Sequence, residues 1–235
     1  ADANNRAYKL GSYENGKQID SIKGTTAGVA SAAGALSETD FILNTRVTVG
    51  NGADLIVSGP SSTAGDLALH ATNYLFARDK VSFLTAGLLG SGLGVESNID
   101  ATRVLAEVAI GDGVVMTSVG EIELSARGSG NLKSSVNSET YGAGTVAITD
   151  VIINVTPTNR VLIGTGANNA AATLLEAQGD VLVSAGTDTD FSRDQYTIEA
   201  RADDFAGSLI PIDDMDVAAW LIQANTIEVR NNAAV

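Results

Sequence analysis

The sequence predicts an all-β chain, a parallel β-helix (β-solenoid) of about four degenerate repeats of roughly 60 residues. Three observations predict it. Two motifs recur in a fixed order at nearly one period, which chance seldom produces. Each motif alternates apolar and polar positions over a few residues, the pattern of a half-buried strand. The composition is rich in Gly (25), poor in Pro (3) and only 5% aromatic, with a 44% hydrophobic share made mostly of Ala, Val, Ile and Leu. Small and β-branched residues suit narrow stacked strands better than one bulky core.

The first motif is Arg46-Val-Thr-Val-Gly-Asn-Gly-Ala53, then Glu107-Val-Ala-Ile-Gly-Asp-Gly-Val114, then Arg160-Val-Leu-Ile-Gly-Thr-Gly-Ala167, with a degenerate copy at Thr226-Ile-Glu-Val-Arg-Asn-Asn-Ala233. Taking Val49, Ile110, Ile163 and Val229 as equivalent, the copies are spaced by 61, 53 and 66 residues. A second motif follows: Gly65-Asp-Leu-Ala-Leu-His-Ala71, Gly120-Glu-Ile-Glu-Leu-Ser-Ala126 and Gly179-Asp-Val-Leu-Val-Ser-Ala185. Paired glycines such as Gly50 and Gly52, or Gly111 and Gly113, allow the sharp corners between strands. The motif therefore reads as strand, corner, next strand.

Further strand-like runs lie at Val81–Leu84, Val104–Val108, Thr145–Val155 and Gln195–Ala200, separated by Gly-rich stretches at Gly87–Gly94, Gly128–Asn131 and Gly142–Gly144. Helical periodicity is scarce; Met215–Ile222 is the best candidate and reads equally as a buried strand. Three five-residue strands with short corners use about twenty residues, so one period is expected to hold about three coils. About twelve coils at about 4.8 Å would then make a rod on the order of 55–60 Å long. Val49, Ile110, Ile163 and Val229 are expected to stack in one interior column, and Leu67, Leu124 or a neighbour, and Val183 in another.

Charge and composition exclude several classes. With 28 acids against 14 bases the formal charge is −14, which opposes nucleic acid or anionic membrane binding through a basic patch. No cysteine is present, so neither disulfides nor thiolate metal sites form. No apolar run is long enough for a membrane span, and no signal segment opens the chain. The chain opens on Ala1, which points to a processed product or a segment of something longer.

The Val-x-Ile-Gly-x-Gly-Ala strand followed by Gly-Asp-Val-x-Val-Ser-Ala resembles the right-handed parallel β-helix repeats of filamentous-haemagglutinin-like adhesins and related giant repeat proteins of the bacterial surface. The resemblance covers about residues 41–235. Arg230 and Asn231 depart from it by replacing the corner glycine of the last copy, and Pro157 sits beside a strand. It implies secretion to the bacterial surface and a role in adhesion, biofilm or fibre formation. It names no ligand, although a host or neighbouring cell surface, or a polysaccharide, is the partner class it suggests.

The two chain ends read as parts of one interrupted repeat. Ile227–Val235 stops after a first motif, and Ala1–Ser12 opens near a second, with Tyr8 and Leu10 expected to match Val181 and Val183. A solenoid cut in mid-repeat leaves bare edges and core. Two readings stay open: residues 1–235 are a single β-solenoid domain that pairs head-to-tail with identical copies through Ala1, Tyr8, Leu10, Ile227, Val229 and Val235, or they are a segment of a longer β-helix.

No catalytic or cofactor-binding residue is expected. His70 occupies the slot of Ser125 and Ser184, so it reads as a repeat position and not as a base. Asp213, Asp214 and Asp216, with Asp203 and Asp204 nearby, form the richest acidic stretch. Grouped carboxylates serve some carbohydrate-active β-helix enzymes, and such a lyase or hydrolase is the alternative to a structural role. Calcium is the one cofactor left open, with Asp188, Asp190, Glu199, Asp213, Asp214 and Asp216 as its candidate ligands. Asp188, Asp190, Ser192 and Glu199 fall at the first, third, fifth and twelfth places of a calcium loop, but Arg193 stands where the sixth-place glycine belongs. Gly90–Gly94 lacks the lysine and helix of a phosphate cradle and reads as a corner.

Overall fold

The computed structural model describes residues 1–9, 13–14, 17–18, 22–59, 65–167, 171–187, 194–230 and 233–234. Every regular element among them is a strand: β1 (Asp2–Lys9), β2 (Tyr13–Glu14), β3 (Lys17–Gln18), β4 (Ile22–Val49), β5 (Asp54–Val57), β6 (Leu67–Ile110), β7 (Val115–Ser118), β8 (Ile122–Ile163), β9 (Thr173–Ala177), β10 (Val181–Ala185), β11 (Tyr196–Leu221), β12 (Ala224–Val229) and β13 (Ala233–Ala234). All pairings between layers are parallel, and only the β2–β3 hairpin is antiparallel. One sheet carries β1 and β4 on β6, β6 on β8, and β10, β11 and β12 on β8; a second sheet runs β5, β7, β9, β13. The chain thus makes four stacked layers, as expected of an all-β solenoid: residues 2–57, 67–118, 122–177 and 181–234.

The number of coils differs from the expectation. Each residue pairs with its equivalent a full period away, as in Val47↔Val108↔Val161↔Ile227, so one period is a single wide coil and not three. The rod of twelve coils becomes a stack of four, about 14 Å from first to last strand. The reason lies inside the coil. Asp79 and Ser97 are 18 residues apart in β6, yet Ser97 Oγ donates to Asp79 Oδ2 at 2.7 Å. Ser138 and Thr149 of β8 meet at 2.9 Å in the same way. Each long strand therefore doubles back, at residues 87–91 in the second layer and 141–145 in the third, and its two arms face one another. Two of the Gly-rich stretches read as separators, Gly87–Gly94 and Gly142–Gly144, are these turn-backs, whereas Gly128–Asn131 continues the strand. Buried Ser97, Ser134, Ser138, Thr145 and Thr149 hide the apolar alternation that would have marked the arms as inward-facing.

Three apolar clusters fill the coil. Near the corners the section is three-sided, where Leu69, Leu124, Val108, Ile110, Ile163 and Met116 converge. Farther out it narrows to two arms, packed first through Leu75, Ile99, Leu132 and Ile153 and then through Val81, Val95, Val136 and Val151.

Register explains the uneven period. Between the second and third layers the pairing steps at Gly87/Ser91 and again at Ala101/Val104, each step removing one residue, which gives the short spacing of 53. Pro157 lies at the second step, opposite Val104, where the ladder is already irregular. The long spacing of 66 arises because β10 follows β8 at Ile122↔Val181, whereas β11 resumes at Gly130↔Tyr196, an insertion of seven residues. The first layer carries an insertion of nine between Lys9↔Ala77 and Ile22↔Val81, and the β2–β3 hairpin occupies it.

The column of Val49, Ile110, Ile163 and Val229 is present as expected. The second column is Leu69, Leu124 and Val183, since Leu67 pairs with Ile122. Met215–Leu221 is strand, and because it belongs to the outermost layer it is largely exposed, not buried.

Gly113 is a corner whose residue choice is fixed twice: its φ is +67°, and a Cβ there would stand 2.8 Å from Ala171 Cβ. Gly113→Ala is expected to cost about 1–3 kcal/mol in urea or thermal unfolding. Gly94→Ala, where a Cβ meets nothing within 4 Å, should be nearly neutral by the same measurement.

Candidate functional site

The two outer layers are the surfaces most unlike the rest of the stack. In the last layer, Val229 is 52% exposed while Ile163 beneath it is fully buried. Ile227, Val217, Leu221 and Met215 are likewise exposed above buried neighbours. In the first layer the inward-facing Ile22, Ala33, Ala35, Val47, Leu55 and Val57 are only half-buried. Each outer layer also presents a backbone edge that no further strand among the described residues pairs.

Of the predicted self-association residues, Ile227 and Val229 lie on the exposed edge, and Ala1 accepts from the His70 N–H at 3.0 Å on the opposite side of the stack. Leu10 and Val235 lie outside the described residues. Tyr8 does not match Val181: β1 places it in the column of Phe76 and Asn131, and Asp2 is the residue aligned, through His70 and Ser125, with Ser184. The nine-residue insertion, invisible as such in one sequence, displaced the expected match. His70 does occupy the Ser125 and Ser184 column, and it contacts Glu123 Oε2 at 3.2 Å.

Charge on the outside is organised in columns. Arg46, Glu107 and Arg160 stack in register, so Glu107, 3% exposed, takes Arg46 Nε at 2.7 Å on one oxygen and Arg160 Nε at 2.6 Å on the other. Opposite charges placed directly across parallel strands reinforce the pairing. The signal was present as the first residue of each motif, Arg, Glu, Arg, but it is intelligible only when one period equals one coil.

The acidic candidates separate. Asp214 and Asp216 alternate along β11 on its outer side, with Asp216 above Asp150 and Glu96 in one column, whereas Asp213 follows the inward track above buried Ala147. Glu199 ion-pairs with Lys133 in the layer beneath, which lowers its pKa, and that pairing competes with a metal. Asp188, Asp190, Ser192 and Arg193 lie outside the described residues. Among the described residues no three His, Asp or Glu side chains converge on a cation-sized space.

A partly buried polar cluster, with no local motif to announce it, joins the last two layers. Asp194 accepts the Gly128 N–H at 3.1 Å, Asn159 Nδ2 at 2.7 Å and Gln223 Nε2 at 2.8 Å, and Asn159 also donates to Asn225. Burial outweighs these donors and raises Asp194 from 3.8 to about 6. The neighbouring Tyr196 hydroxyl is pushed up as well, by burial and then by Asp194. Because the folded pKa lies above the unfolded one, Asp194 favours folding below about pH 4, and this contribution is lost as pH rises through about 6. With water reaching part of the carboxylate, the loss is on the order of 1–2 kcal/mol. Asp194→Asn is expected to remove this pH dependence, so that the wild-type-minus-variant stability difference falls by about 1–2 kcal/mol between pH 4 and 7 in chemical denaturation.

The fold and its edges define an all-β stack of parallel layers. No protein family, curated protein or solved structure matches the chain. No helix among the described residues is long and apolar enough to cross a membrane.

Proposed function

We propose that the chain is a non-enzymatic structural protein of the bacterial surface, a right-handed parallel β-helix of four repeats in one domain, serving as an adhesin shaft or as a subunit of a head-to-tail filament. The observation that carries this reading is the last layer, in which Val229 and Ile227 repeat the interior columns of Ile163 and Val161 without being buried, with a first layer that is half-buried at Ile22, Val47 and Leu55 and buried at Phe41, Leu43 and Val49. An exposed, regular, apolar strand edge is a template for another strand. Two unlike faces of one subunit joined head to tail give an open assembly. The kinship with filamentous-haemagglutinin-like repeats rests on the strand motifs, and an acidic surface that keeps rods apart suits an extracellular fibre. Sedimentation velocity across a concentration series, with negative-stain microscopy, tests it: rods lengthening with concentration are expected, and a constant monomer at the highest concentration removes the filament form.

The alternative, a carbohydrate-active enzyme, draws on the column of Glu96, Asp150 and Asp216. Carboxylates in successive layers lie about 4.8 Å apart, near the separation that retaining glycosidases use. Turnover of acidic or neutral polysaccharides that Asp150→Asn abolishes would establish it. Calcium is tested by calorimetric titration, where neither heat nor a change in melting removes it.

A further inference from the structure

Resting on the filament reading, we propose that the last layer of one copy accepts the first layer of the next in one register from residue 22 to residue 54, residue i meeting residue i − 180. Following the pairings through the stack gives Ala202–Val136–Val81–Ile22 at one end of the run, Trp220–Asn154–Asp100–Asp40 in the middle and Val229–Ile163–Ile110–Val49 near the corner. In the second sheet the path is Ala234–Leu174–Val115–Asp54. At all four places the two ends of the path are 180 residues apart. The interfaces inside the chain are less regular. They step at Gly28/Ala30 and Asp40/Ile42, at Gly87/Ser91 and Ala101/Val104, and by six residues at the corner between Ile163↔Val229 and Thr173↔Ala233. These steps cancel over three layers. The last and first layers therefore share one spacing from residues 22 to 54 and stack without a bulge over that run; ahead of it β1 keeps other spacings, 182 from Asp2 to Ser184 and 189 from Lys9 to Ile198, because the insertions of the two layers differ.

Side chains agree with this register. Ile227 meets Val47, Val229 meets Val49, and Asn225 meets Thr45, polar on polar. From residue 22 to residue 54 the one charge-on-charge pair is Asp203 with Lys23, of opposite sign, and no like charges oppose. Asp204 and Asp213 follow inward tracks but meet Gly24 and Ala33, and Asp204 is already held by Thr149 and Ser138. Thr226 comes to lie between Arg160 of its own chain and Arg46 of the next copy. A two-residue slip in one direction sets Arg201 against Lys23 and Asp216 against Glu38, two like-charge pairs. The opposite slip sets Asn225 against Leu43 and Ile227 against Thr45, unpairing the interior. A one-residue slip turns every side chain to the wrong face.

The chain has no cysteine, so introduced thiols report the register cleanly. Strands about 4.8 Å apart bring facing residues within disulfide reach. Thr48→Cys with Glu228→Cys, both on the outer side, is the matched pair; Thr48→Cys with Thr226→Cys is the slipped one. Oxidation of the matched variant should give a ladder of covalent multimers and the slipped variant none. Independently, Thr226→Glu should complete an alternation of charge through the joint and lower the concentration needed for assembly, while Thr226→Arg should raise it about fivefold at low salt. A ladder in the slipped pair, or filaments by microscopy without a ladder in the matched pair, overturns the register while leaving the filament. Absence of any assembly by the unmodified protein overturns both.

Discussion

Glu107→Ala is expected to destabilise the chain by about 2–4 kcal/mol in urea unfolding, the largest effect of any outward-facing substitution. Removing one partner of a buried ion pair costs about 3–5 kcal/mol because the remaining charge is stranded. Here two guanidinium groups lose their shared carboxylate at once. Both arginines reach water, with side chains 48% and 36% exposed, which brings the effect toward the lower part of that range. The loss should fall in the double variant Glu107→Ala with Arg160→Ala, since that change also removes one of the stranded cations, and a double-mutant cycle measures the coupling. A Glu107→Ala protein as stable as wild type would mean that the column is a surface ornament and not a clamp across three layers.

Ile163→Ala and Val229→Ala should differ sharply although both occupy one column. Ile163 is sealed between Ile110 and Val229, so truncating it removes buried methylenes and leaves a cavity, a loss of about 3–4 kcal/mol. Val229 is half open, and its truncation should cost under about 1 kcal/mol in the dispersed monomer. Its effect should instead appear in assembly, where the next copy covers the position. Thermal unfolding of dilute protein gives the first comparison, and the concentration dependence of sedimentation gives the second. Equal destabilisation of the monomer by both would show that Val229 is already enclosed.

The features legible in the sequence were those repeated at a fixed chemical pattern. Val49, Ile110, Ile163 and Val229 alternate with polar residues and precede glycine corners, so the strand, its inward face and its column could all be read. His70 lies in its expected column because Ser125 and Ser184 fill the same place. Width could not be read, because the arms beyond the motifs bury Ser97 against Asp79 and Ser134, and Ser138 against Thr149, and buried polar groups that satisfy each other imitate the polarity of loops. Insertions were equally opaque. Nine extra residues in the first layer shifted Tyr8 away from its expected partner, and seven in the last fall within the stretch read as a calcium loop from Asp188. The site followed the same division: Ile227 and Val229 stood out as an unfinished repeat, whereas the Asp194 cluster joins residues 29 to 66 apart in sequence with no local motif.

The account stands most directly on the axial rise of the assembled filament, measured by helical reconstruction from electron micrographs. Four layers per copy at about 4.8 Å predict a rise of about 19 Å per subunit, with an unbroken strand repeat across the joint. A rise of about 55–60 Å would restore three coils to each period and contradict the wide coil; isolated particles at every concentration would contradict the joint.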